Sequence, residues 1–202
     1  MKIICVGRNY QKHAEELGNA IPEEPVIFLK PDSSLMRQRD AFYIPDWTND
    51  VHYEAELVVR IGRNGKNIEE RFARKYYDQV TVGIDFTARD VQSALKSKGL
   101  PWEKSKGFDG SAVCGQWIDL GNRQLGDLRF SLTKNDQQVQ DGNPNHMLFG
   151  VDALIAHVSR YFTLKMGDMI FTGTPEGVGP VAAGDVLEGF LNNEKVLRVR
   201  IK

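Results

Sequence analysis

Cysteine is scarce: Cys5 and Cys114 are the two thiols in 202 residues, and neither has a Cys or His partner at metal-ligand spacing. That argues against a disulfide framework and a thiolate zinc site, and it fits a reducing compartment. An excess of one charge is also missing, with 26 Lys plus Arg against 27 Asp plus Glu and a formal net charge of −1. With no basic block there is no electrostatic case for nucleic acid or an anionic membrane, so neither is expected as a partner. Long apolar runs are absent too. The opening Met1-Lys2-Ile3-Ile4-Cys5-Val6 turns polar at Gly7-Arg8-Asn9, too soon for a signal-peptide core, and no later run approaches a membrane span. A soluble cytoplasmic protein is the expectation.

What is present is ordinary globular composition, 41% hydrophobic and 26% charged. Area scaling gives roughly 9,600 Å² of folded surface against about 33,000 Å² for the unfolded chain, enough for a core without disulfides or structural metal. The 19 glycines and many short apolar runs favour a strand-rich α+β domain with a few helices. No composition break marks a linker, so residues 1–202 read as one domain.

Strands are expected at residues 2–6, 25–29, 53–61 and 80–86, then at 169–172, 186–191 and 196–201. The clearest is 53–61, where Ala55, Leu57, Val59 and Ile61 point one way and Glu54, Glu56, Val58 and Arg60 the other. Hairpin turns are expected at Asn135-Asp136 and Asn192-Asn193. Helical patterns cover 10–17 (stopped by Gly18-Asn19), 68–77 and 151–162, the last with Leu154, Ile155, Val158 and Phe162 on one stripe. Thr87-Ala88-Arg89-Asp90 resembles a capping box opening a helix to about Lys98, and 100–115 reads as a loop.

Residues that can carry chemistry stand out against this frame. Glu54 and Glu56, at i and i+2 on a strand, share a face with Cα atoms about 6.5–7 Å apart, so they can converge on one cation. Taken alone they read more readily as two solvated acids on an exposed face. Asp85 sits at the end of an otherwise apolar strand, where an acid is costly to bury unless paired or bound to metal. Three carboxylates without a Cys-His set suit Mg²⁺ or Mn²⁺ better than zinc. His13 and Glu16, three apart on a short helix, can pair as an oriented general base, or be a surface pair. Lys106, beside Gly107, can neutralise an oxyanion, with Lys96, Lys98 and Lys104 as nearby competitors, or be a solvated loop lysine. The loop 173–179 (Gly-Thr-Pro-Glu-Gly-Val-Gly) lacks the ending of a nucleotide loop, and its Thr174 and backbone N–H groups can meet a carboxylate, or form a structural turn.

Taken together these segments resemble the fumarylacetoacetase (fumarylacetoacetate hydrolase) family, in its short acylpyruvase-like branch. The likeness runs through Gly7-Arg8-Asn9-Tyr10 with His13 and Glu16, Val26-Ile27-Phe28-Leu29-Lys30-Pro31, and His52-Tyr53-Glu54-Ala55-Glu56-Leu57. It continues through Asp85-Phe86-Thr87-Ala88-Arg89-Asp90-Val91-Gln92, Lys98-Gly99-Leu100-Pro101-Trp102, Lys106 and the 173–179 loop. Gly142-Asn143-Pro144-Asn145-His146 departs from the usual run in a substrate-side loop. The resemblance implies a mixed β-roll with peripheral helices, a homodimer, and Mg²⁺ or Mn²⁺ on Glu54, Glu56 and Asp85. It implies His13 with Glu16 as a lid dyad, Lys106 as the metal-site lysine, and Arg89, Gln92 and Thr174 as substrate contacts. The activity implied first is hydrolysis of 2,4-dioxo acids, with His13 activating water and pyruvate leaving as an enolate stabilised by metal and Lys106. The alternative implied is decarboxylation or tautomerisation of oxaloacetate at the same site.

Overall fold

Short alternating runs need neighbours to bury both of their faces, and the arrangement of strands supplies them. The computed structural model describes residues 1–16, 18, 20–37 and 39–202. The chain opens with β1 (Ile3–Gly7), α1 (Gln11–Glu16), β2 (Val26–Lys30), β3 (Leu35–Met36), β4 (Val51–Tyr53) and β5 (Ala55–Ile61). It continues with β6 (Tyr77–Asp85), β7 (Thr87–Ala88), α2 (Arg89–Ser97), α3 (Glu103–Lys106), β8 (Ala112–Cys114) and β9 (Ile118–Asp119). The last third holds β10 (Phe130–Lys134), β11 (Gln137–Gly142), α4 (Val151–Tyr161), β12 (Met169–Phe171) and β13 (Gly179–Pro180), then β14 (Val186–Leu191) and β15 (Glu194–Arg200).

The largest sheet runs β2-β1-β12-β5-β6-β8-β3, with β9 also on β6. It is mixed: β1 pairs β12 and β3 pairs β8 in parallel, whereas β5 and β6 are antiparallel neighbours at its centre. A second sheet, β11-β10-β14-β15, covers one face, and β13-β4-β7 forms a small third sheet beside the site. Ala55, Leu57, Val59 and Ile61 enter the main core with Val80, Val82, Ile84 and Phe86 of the next strand and Leu132, Leu187 and Leu197 of the covering sheet. The other face of β5 is not left to solvent. Val58 joins Ile3, Cys5, Met169 and Phe171 in a second apolar cluster, and only Arg60 of that strand is exposed. The accessible surface is 9,959 Å², close to the scaling expectation.

Both hairpin turns form, with Asn135 (φ 52°) and Asp136 (φ 66°) in one and Asn192 (φ 48°) and Asn193 (φ 69°) in the other. Paired positive φ values match the twist of the flanking strands. Helix α4 buries Leu154, Ile155 and Val158 as the stripe requires, with Phe162 capping its end. Three expectations need correction. The helix expected at 68–77 is a 3₁₀ segment, Glu70–Tyr76, because Tyr77 must be extended to pair with Ile61. Residues 100–115 are not all loop: they carry α3 and β8, too short to show a period, and Ala112 pairs with Asp85. The capping box does not form. Ala88 is the N-cap with no side-chain bond, while Asp90 accepts from Thr48 Oγ1 (2.6 Å), Asn49 N (3.0 Å) and Val91 N (2.8 Å). The stop expected at Gly18-Asn19, and Leu17 before it, fall partly outside the described residues.

Candidate metal centre and active-site cavity

Strand register assembles the acids. Ala55 lies opposite Ile84, and Asp85 N donates to Glu54 O at 2.8 Å, so Glu54 and Asp85 face each other at the open end of β5 and β6. Glu56 is one pleat further along the same face. The three carboxylates are buried and offer oxygens within 4.8 Å of one another. Their surroundings differ. Glu54 is held well below the usual carboxylate range: burial pushes its pKa up, but Lys106, Arg89 and His13 more than offset this. Among the described residues, Glu56 has no cation in contact and accepts only from Gly173 N at 2.6 Å. Burial, then the Asp85 and Glu54 charges, push its pKa well up.

Two lysines lie beneath this cluster. Lys106, carried into the site by the short helix α3, donates to Glu54 Oε2 (2.6 Å), Asp85 Oδ2 (2.8 Å) and Thr87 Oγ1 (2.6 Å). Burial works to lower its pKa, but Asp85 and Glu54 raise it above the ordinary value, so the ammonium stays charged. Lys30 Nζ is 2.8 Å from Asp85 Oδ1, yet its three protons go to Lys106 O, Ser111 O (3.1 Å) and Ser111 Oγ (3.0 Å). Asp85 Oδ1 is therefore buried without a hydrogen-bond donor. An unbonded carboxylate oxygen, a second carboxylate crowded by like charge, and an all-oxygen donor set fit a hard divalent cation. Glu54, Glu56 and Asp85 would hold it. All three Lys106 protons are engaged, two of them on Glu54 Oε2 and Asp85 Oδ2, so a cation that draws on those oxygens shares them with the ammonium.

Helix α1 places His13 over the same cavity, buried, with Nδ1 3.3 Å from Glu16 Oε2. Glu16 is fixed in turn by Gly177 N, 3.2 and 3.3 Å from its two oxygens. Burial lowers the His13 pKa despite the opposing Glu54 and Glu16 charges, which keeps the ring neutral. With Nδ1–H assigned to Glu16, Nε2 keeps the lone pair of a general base. Arg89 Nη2 donates to Glu54 Oε1 (2.6 Å) and its Nη1 to Gln92 Oε1 (2.7 Å), both from the first turns of α2. Thr174 is positioned from the covering sheet: Gln140 Nε2 donates to Thr174 Oγ1 (2.8 Å) and Pro175 O (3.0 Å), while Gln140 Oε1 accepts from Ala55 N (2.9 Å).

Every expected site residue but Glu16 lines one cavity, of about 430 Å³ out to its mouth, and Glu16 reaches it through His13. Sequence spacing assigns no site role to Arg8, Lys30, Thr87 or Gln140. Lys30 had a signal, since a lysine ending the apolar run Val26-Ile27-Phe28-Leu29 is costly to bury without partners. Thr87 passed for a helix cap, and Gln140 has no local pattern that marks it.

Known proteins agree with this geometry. The profile of the fumarylacetoacetate (FAA) hydrolase C-terminal family matches residues 2–202. The chain is 43% identical to the oxaloacetate tautomerase YcgM of Escherichia coli over 190 residues, covering 92% of this chain and 86% of that protein. It is also 43% identical over 189 residues to the mitochondrial oxaloacetate decarboxylase of Dictyostelium discoideum, covering 93% and 87%. The fumarylpyruvate hydrolase of Pseudomonas aeruginosa, solved with Mn²⁺ and pyruvate, superposes with a TM-score of 0.94 at 34% identity, covering 100% of this chain and 89% of that one. No helix among the described residues is long and apolar enough to cross a membrane. The metal-type acid cluster, the lysine beneath it and the histidine above it belong to a chain that is a member of the fumarylacetoacetate hydrolase family.

Proposed function

We propose that this chain interconverts the keto and enol forms of oxaloacetate, with Mg²⁺ or Mn²⁺ held by Glu54, Glu56 and Asp85. The observation that carries the reading is one buried neutral base, His13, facing a fixed ammonium, Lys106, across a single cavity. Tautomerisation needs these two parts and no water. A bound divalent ion supplies Lewis-acid polarisation of the 2-oxo acid. His13 Nε2 takes a proton from C3, the C–H electron pair becomes the C2–C3 double bond, and the charge on the C2 oxygen is met by Lys106. Transfer of that proton from His13 to the oxygen completes the enol and restores the neutral imidazole. Glu16 keeps the imidazole tautomer, and Arg89, Gln92 and Thr174 line the space where the acid must bind. The similarity to an oxaloacetate tautomerase and an oxaloacetate decarboxylase supports oxaloacetate as substrate.

Hydrolysis of acylpyruvates, the first expectation from sequence, is the second reading. It is favoured by the ordered His13–Glu16–Gly177 chain, which suits delivery of a water, and by the similarity to a fumarylpyruvate hydrolase. The experiment is a panel with Mn²⁺ and with chelator: enol-oxaloacetate decay, and pyruvate from oxaloacetate, acetylpyruvate and fumarylpyruvate. Chelator-sensitive enol decay exceeding every rate of pyruvate release is expected. Rapid pyruvate release from acetylpyruvate with negligible enol decay would replace the first reading by the second.

A further inference from the structure

Arg8 sits in the connection between β1 and α1 with φ +60°, a left-handed conformation that an arginine adopts at a cost. The neighbouring Asn9 locks that turn. Its side chain donates to Phe149 O (3.0 Å) and Thr172 O (2.8 Å) and accepts from Phe149 N (2.8 Å), and its own carbonyl accepts from Leu148 N. The strained residue thereby places Arg8 on the wall of the active-site cavity. Its Nε is buried with no hydrogen-bond partner, and among the described residues its side chain makes no salt bridge. Lys96, from α2, lines the same cavity, lies over the Trp102 ring (5.6 Å), and also lacks a carboxylate partner among the described residues. Burial, and then the Arg8 charge ahead of Arg89 and Lys106, lowers the Lys96 pKa, which places the two cations in one another's field.

The acids of the cavity do not need these cations. Glu54 is paired with Lys106 and Arg89, and Asp85 with Lys106 and Lys30. A half-buried guanidinium whose Nε is buried without a partner, on a backbone held at positive φ and next to a second unpaired cation, calls for an anion that comes with the ligand. We propose that Arg8, supported by Lys96, holds the distal carboxylate of a 2-oxo dicarboxylate substrate. This rests on the oxaloacetate reading and deepens it. The guanidinium fork matches a carboxylate, so a dicarboxylate is selected over an acylpyruvate with an apolar distal group. The same contact sets the fate of oxaloacetate. Decarboxylation breaks C3–C4, leaves the bonding pair on the enolate and expels C4 as neutral CO₂, so a cation gripping the C4 carboxylate stabilises what must leave. Removal of the C3 proton keeps that carboxylate in place.

The test compares L-malate with L-lactate on the Mn²⁺-loaded full-length protein by calorimetry. Both offer a carboxylate and a 2-hydroxyl, and they differ by the distal carboxylate. Arg8→Asn is the variant, because asparagine tolerates φ near +60° and keeps the fold. The wild type is expected to favour malate by about 10- to 100-fold, the range of a charged hydrogen bond. Arg8→Asn is expected to lose that preference while binding lactate as before, with circular dichroism and Tm unchanged. In turnover, the ratio of pyruvate release to enol decay is expected to rise in the variant. No preference for malate in the wild type, no measurable malate binding, or equal loss of both ligands in Arg8→Asn would overturn the assignment. Absence of any Mn²⁺-dependent turnover in the wild type would sink the tautomerase reading alone, since the malate and lactate comparison does not depend on catalysis.

Discussion

Replacing Lys106 by methionine tests how the acid cluster is kept neutral. Lys106 is 4% exposed, and its ammonium lies 2.6 Å from Glu54 and 2.8 Å from Asp85. Breaking a buried ion pair costs about 3–5 kcal/mol, because the remaining charge is left uncompensated. Arg89 on Glu54 and Lys30 on Asp85 stay behind, so the lower end, about 3 kcal/mol, applies to the metal-free protein. For a domain of this size each kcal/mol shifts Tm by about 2–4 °C, giving a fall of about 6–12 °C in chelator. A divalent cation repairs the deficit and no longer competes with the ammonium for Glu54 Oε2 and Asp85 Oδ2. Lys106→Met is therefore expected to bind Mn²⁺ at least as tightly as the wild type and to gain more Tm on adding it, while losing turnover. Thermal unfolding with chelator and with a Mn²⁺ series, alongside calorimetry, measures both. Glu56→Gln is the control: it keeps the acceptor for Gly173 N, removes a carboxylate with no cation in contact, and is expected to hold its Tm in chelator while losing the Mn²⁺ gain. Weaker Mn²⁺ binding in Lys106→Met, or an equal Tm loss with and without metal, would refute the competition between ammonium and ion.

His13→Ala is expected to lower acylpyruvate hydrolysis and enol decay by about 10²–10⁴-fold, the usual worth of a general base, while decarboxylation changes only a few-fold; equal losses in all three would defeat the base assignment. The pH profile follows from the same ring. Its folded pKa lies below the ordinary 6.5, so the neutral base and its stabilising contribution are fully present above 6.5 and are lost as pH falls through the lower folded value. The acid limb of kcat/KM is expected below pH 6.5, and a limb above it would contradict burial as the dominant influence. A homodimer is expected, with β2 at the sheet edge leaving Leu29 36% exposed beside Leu100 at 47%; sedimentation at the 22.8 kDa monomer mass at micromolar concentration would count against it.

Local spacing drew attention to part of the candidate site, and the family resemblance supplied the remaining residues and their roles. The period of two over residues 53–61 put Glu54 and Glu56 on one face, although the strand breaks at Glu54 between β4 and β5; the period of a helix put His13 above Glu16, and the asparagine pairs marked the two hairpin turns. These are short-range consequences of backbone geometry, legible wherever a run is long enough to show its period. The same signal failed at 68–77, where pairing of Tyr77 with Ile61 overrode a helical pattern, and at Ala112–Cys114, where three residues show no period. What the polar residues do to one another is non-local. Asp85 meets Glu54 because β5 and β6 pair in that register, and Lys30 reaches Asp85, although β1, β12 and β5 lie between β2 and β6 in the sheet, because the sheet curls and brings the two strand ends together. Thr87 Oγ1 accepts from Lys106 in place of capping a helix end, Gln140 reaches Thr174 from another sheet, and Arg8 is turned inward by bonds from Asn9 to Phe149 and Thr172. No window of sequence contains both ends of these contacts. The chain itself determined which residue types could bind a cation, move a proton or hold an anion. Strand order and register decided which of them share one buried space, because only closure of the long loops brings those charges out of water together.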